Sequence, residues 1–128
     1  MKLKVMFVVA AVYGFITGLS SFLAPGQMVA TAGVAASSTV LMLVRFMGVA
    51  NIGLGLIAWL VRNAEASSTR DGVSMGFFVF FTLHALTSLY GQFTDASTSM
   101  HWVMATLQAV IAVGFFIAGR AGMSTRKS

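Results

Sequence analysis

Among the polar side chains inside otherwise apolar stretches, five stand out: Arg45 and Asn51 in one, His84 and Thr87 in a second, and Gln108 in a third. Their types suit binding better than reaction. An arginine offers five N–H donors in a planar fork, an amide both donates and accepts, and a neutral imidazole does one on each ring nitrogen. Counted inward from the ends of their stretches, Arg45, His84 and Gln108 fall roughly 9 to 14 Å deep at 1.5 Å per residue. A layer in which these three face one another would suit an anion, a lipid phosphate or the carbonyl of a quinone-like molecule. It would not suit a cation, because the apolar stretches hold no aspartate or glutamate except at their ends. Arg45 also has a plainer use, since from this depth a long side chain snorkels outward to the interface.

These residues need a bilayer around them to be unusual, and composition supplies it. The 128 residues are 58% hydrophobic and 9% charged, too few charges to cover a soluble domain of this size. Four apolar runs, at residues 4–24, 39–61, 73–93 and 100–119, each come near the roughly 20 residues that carry a helix across the hydrocarbon. They lack the alternation of barrel strands, so the expected fold is all-α: an integral membrane four-helix bundle forming a single membrane domain over residues 1–128, with a basic tail at 120–128. The first run resembles a secretory signal, with Ala30-Thr31-Ala32 as a cleavage-like site, but it is longer than the usual apolar core of a signal and is read as the first span.

The basic residues fix an expected orientation. Lys2, Lys4, Arg62, Arg70, Arg120, Arg126 and Lys127 fall on one side of four spans, and the two opposite connections contain no lysine or arginine. By the positive-inside rule both termini are cytoplasmic, in a cell membrane and most simply a bacterial inner membrane. Basic residues at helix ends, rather than in a run interleaved with aromatics, argue against nucleic acid. Pro25-Gly26 is expected to end the first helix, residues 27–38 to form an alanine-rich surface connection, and Asp71-Gly72 to turn a hydrophilic loop at 62–72. Thr94 to Ser99 reads as a short polar link.

Small residues suggest where helices approach. Gly14 and Gly18 form a GxxxG pair with Ser21 one turn on, and Gly48 and Gly55 are assigned the same packing role in the second span. Phe77, Phe78, Phe80 and Phe81 lie at about the depth of Phe115 and Phe116, an aromatic layer beneath the polar one. Absence of cysteine removes thiolate sites, no metal motif or nucleophile–base pair can be read, and no catalytic residue is assigned. His84 as an axial ligand of haem or a chlorin is a minor reading beside a hydrogen bond to a neighbouring helix.

Arg45-Phe46-Met47-Gly48 at the outer end of the second span, with Gly53-x-Gly55-x-x-x-Trp59 below it, resembles the small four-span bacterial membrane proteins loosely called DoxX-like. That resemblance implies the span layout and an accessory membrane role, with a quinone-linked activity in one branch. The sequence therefore leads to a non-catalytic accessory or structural subunit without a cofactor, whose partners are the bilayer and either copies of itself or a larger membrane complex. The alternative is a binding or conducting protein centred on Arg45, His84 and Gln108.

Overall fold

The structure, a computed structural model, describes residues 2–94 and 99–127, with side chains as far as Met123. It is all-helical over these residues: α1 Leu3–Leu23, α2 Pro25–Thr31, α3 Ser38–Val61, α4 Ser68–Thr94 and α5 Met100–Lys127. Four of the five are long and apolar enough to cross a membrane. Helix is the state in which such segments satisfy their own backbone, and the hydroxyls follow suit. Thr17, Thr82 and Thr87 each donate to the carbonyl four residues back, at 2.7, 2.7 and 2.8 Å.

The ends correct three expectations. Helix α1 does end before Pro25, at Leu23, with Ala24 at φ −129°, ψ 55°, but Pro25-Gly26 makes no turn and instead opens α2. Proline suits a first helical position, where no intrahelical donor is needed. Gly33 ends the stretch after α2 with φ 71°, a conformation that side-chain-bearing residues adopt at a cost. The second correction is at α4, which begins at Ser68, so Asp71-Gly72 lies inside a helix and makes no turn. Ser67 starts it instead, its hydroxyl accepting from the Arg70 N–H at 3.2 Å, and Asp71 adds a negative charge to the first turn. Third, the basic tail continues α5 as helix to Lys127. No proline interrupts it after the apolar run. Residues 95–98 of the expected polar link lie outside the described residues.

Packing is antiparallel in the α1–α3, α4–α5 and α1–α5 pairs, with α1 and α4 parallel, and divides into two halves joined by α1. One face of α1 lies against α3, an adjacent face reaches α5 and α4, and α4 and α5 form a second close pair. The core holds Phe7, Ala11, Ala58, Phe81, Phe115 and Ala118, all at 1% exposure or less. Short α2 tucks Pro25 and Val29 inward, next to α3. Between α3 and α4 the bundle stays open. A cleft of about 310 Å³ separates Leu54 and Ile57 from Val73, Gly76, Phe77 and Phe80.

Candidate functional site

The most polar point of the interior is Gln108, on α5 and only 4% exposed. A buried amide must find partners, because lipid provides none. Its oxygen accepts from the Tyr13 hydroxyl at 2.9 Å, and its nitrogen faces the Ser88 hydroxyl at 3.0 Å and the carbonyls of His84 at 3.1 Å and Met104 at 3.2 Å. The reverse orientation would set the amide oxygen against two carbonyl oxygens, so it is rejected on electrostatic grounds. Three helices thus meet through one side chain: α1 by Tyr13, α4 by Ser88, and α5 by Gln108 itself.

Below this hub the aromatic rings close the core. Phe7 meets Phe77 and Phe115 edge-on, at centroid distances of 6.1 and 5.7 Å, and Phe77 stacks on Phe115 at 5.4 Å. Tyr13 stands edge-on to Phe81 at 5.2 Å, so the polar hub rests directly on the aromatic layer. Such geometries align ring edge and ring face favourably. Gly114 leaves a notch on α5 that the Met6 thioether fills.

The four glycines singled out in the sequence meet one another within the chain, between α1 and α3. A Cβ on Gly14 would lie 2.7 Å from the Asn51 carbonyl oxygen, and one on Gly18 would lie 2.8 Å from that of Gly48. A Cβ on Gly48 would meet the Gly18 carbonyl oxygen and the Phe22 nitrogen, each at 2.7 Å, while Gly55 sits 3.1 Å from the Ala11 carbonyl oxygen by the same measure. Real Cβ atoms essentially never come within 3.0 Å of another heavy atom, so of the four only Gly55 leaves room for one after a small shift. At this separation Cα–H groups face carbonyl oxygens across the crossing, an additional weak attraction.

The remaining polar residues are not gathered around Gln108. Arg45 lies on the exposed surface of α3, flanking the glycine stripe rather than on it, and no hydrogen bond or ion pair joins it to His84 or Gln108. The expected layer in which the three face one another does not form, because the glycines turn a different side of α3 toward α1. Asn51 is half-buried at the crossing. His84 is half-buried too; its Nδ1 contacts the Phe80 carbonyl oxygen at 3.0 Å, and its ring lies 4.2 Å from that of Phe80. Thr87 is exposed and bonded to its own helix.

At the far end His101 packs on Gly91, whose Cβ would lie 3.2 Å from the ring. No group of three or more His, Cys, Asp or Glu able to hold a metal occurs among the described residues. The buried side-chain atoms left without a hydrogen bond among them are Arg70 Nε and Gln92 Oε1.

Tyr13, Ser88, Phe7 and Met6 are the contributors that the sequence reading passed over. The hub left one usable signal, a tyrosine and a glutamine at similar depth in different spans. No protein-family model, curated protein or solved structure matches the chain.

Proposed function

We propose that the protein is a non-catalytic component of a membrane assembly, oriented with both termini in the cytoplasm and joined to copies of itself or to another membrane protein through α3. The observation that carries this reading is the uneven covering of the spans. Only 11% of the most apolar window of α3 is buried, against 39% for α1, 22% for α4 and 39% for α5. Its uncovered surface includes Phe46 and Leu60, at 64% and 67% exposure, with Ala50 and Gly53 between them on the same side. Small residues flanked by large ones form a groove into which another helix packs closely. Arg45 borders this surface and reaches toward the outer headgroups by snorkelling.

The internal bonding of Gln108 favours this reading over a ligand site. Its donors and acceptor are engaged by Tyr13, Ser88 and two carbonyls, which leaves little capacity for a ligand. The layout shared with DoxX-like proteins points toward an accessory role as well.

The chain contains no cysteine, so single cysteines give a clean test by oxidative cross-linking in native membranes. Cross-linked dimers, or a cross-linked partner, are expected from Phe46→Cys, Ala50→Cys and Gly53→Cys, and not from Val110→Cys on the exposed face of α5. Arg45→Gln leaves the pattern unchanged. Equal cross-linking on both helices, or none on α3, would overturn the proposal.

A further inference from the structure

The outer face of the α4–α5 pair carries two cavities that meet at one pair of rings. Phe78 and Phe116, 5.6 Å apart, line both. Toward the chain termini, a space of about 280 Å³ is bordered by Asp71, Ser74, Gly119 and Arg120. Toward the membrane centre, about 400 Å³ lies against Ala85, Leu86, Leu89, Ala109 and Val113. The second part is effectively apolar, since the one hydroxyl on its wall, Thr82, is bonded to the Phe78 carbonyl oxygen at 2.7 Å. Alanines and Gly119 keep bulk out from between the helices.

We infer that this groove binds one acidic phospholipid of the cytoplasmic leaflet, its phosphate at Arg120 and Ser74 and one acyl chain laid along α4 and α5. Three observations choose this occupant. The groove is polar at one end only, as an amphiphile is. From Phe78 to Leu89 the wall rises about 16 Å at 1.5 Å per residue, close to the ~15 Å depth of one leaflet's hydrocarbon. The bundle end at which the polar part opens carries Lys2, Lys4, Arg62, Arg70 and Arg120 against Glu65 and Asp71, a surplus that attracts an anionic headgroup. Arg120 is already held at the mouth, with its guanidinium carbon 5.3 Å from the Phe116 ring centroid.

The test is native mass spectrometry of the full chain released from nanodiscs made of equal parts phosphatidylglycerol and phosphatidylethanolamine. One retained lipid per protomer is expected, enriched in phosphatidylglycerol. Arg120→Gln should lower that enrichment roughly fivefold, the effect of removing one basic residue near an anionic surface. Ala109→Phe fills the groove from its exposed wall, leaves the core untouched, and should abolish retention. Val103→Phe, on α5 outside the groove, should leave retention intact. Loss of retention in all three variants alike, retention indifferent to headgroup and to Ala109→Phe, or no retained lipid would each overturn the inference. Cross-linking of Ala109→Cys to another protein would do the same, by making the groove a protein interface.

Discussion

Three glycines that look alike in sequence should respond to alanine in three ways. At Gly48 the new Cβ would lie 2.7 Å from the Gly18 carbonyl oxygen and the Phe22 nitrogen, where ordinary contact begins at 3.4 Å. Both obstacles are backbone, so the helices must separate by roughly 0.7 Å at this point. At Gly114 the clash is nominally worse, 2.5 Å from Met6 Cε, but the obstacle is the end of a flexible thioether that can change rotamer. At Gly76 nothing lies within 4 Å. Alanine's helix propensity contributes little to the comparison, because spanning segments are helical whether docked or separated and the gain cancels. Over-packing against a fixed backbone costs about 1–3 kcal/mol. Separation of the crossing also weakens its Cα–H···O contacts, worth about 0.5–1 kcal/mol each. Gly48→Ala should therefore destabilise by about 2–3 kcal/mol, Gly114→Ala by under about 1 kcal/mol, and Gly76→Ala by no more than about 0.5 kcal/mol. Equilibrium unfolding in mixed dodecylmaltoside–SDS micelles, followed by the fluorescence of Trp59 on α3 and Trp102 on α5, measures all three. A Gly48→Ala protein as stable as Gly76→Ala, or less perturbed than Gly114→Ala, would refute the account of the crossing.

Other substitutions probe the remaining contacts by the same assay. Gln108→Leu should cost about 1 kcal/mol, in the range of interhelical hydrogen bonds in membranes, and adding Tyr13→Phe should cost less than it does alone because its partner is already gone. Additive losses in that cycle would mean that Tyr13 and Gln108 are not coupled. Ser67→Ala removes the N-cap of α4 and should lower stability by about 1 kcal/mol without altering cross-linking from α3; an unchanged midpoint would remove Ser67 from the cap.

Depth was legible in the sequence and azimuth was not. Hydropathy located the four spans and the height of each polar residue, since a rise of 1.5 Å per residue is independent of packing. Which way a residue faces depends on which stripe of its helix docks. In a soluble bundle that stripe is the apolar one, but in lipid every side of the helix is apolar and the pattern carries no direction. Small residues are the exception. Gly48 and Gly55 mark the docked side of α3, and reading them first would have put Arg45 off that side instead of opposite His84 and Gln108. The start of α4 departs from the pattern of Asp71-Gly72 for a local reason. Asp71-Gly72 is a turn signal in isolation, whereas Ser67 supplies a cap and the acidic side chain suits a first turn, so the two together outweigh one glycine within a helix.

The two faces of α1 hold their neighbours by different physics, and this gives the bundle an uneven response to strain. Toward α4 and α5 it offers Phe7, Met6 and Tyr13, which interlock with rings, a glycine notch and an amide; separating that face breaks many contacts and exposes the polar hub to lipid. Toward α3 it offers a strip of small residues, where close backbone approach supplies much of the attraction and weakens by a quarter to a half once the helices part by about 0.5–1 Å. As the least buried span, with the α3–α4 cleft open beside it, α3 is expected to leave or exchange partners at least cost. A Gly48→Ala protein should accordingly lose the Trp59 signal of α3 at lower SDS than the Trp102 signal of α5. Coincident transitions would show that α3 is locked into the core as firmly as the rest.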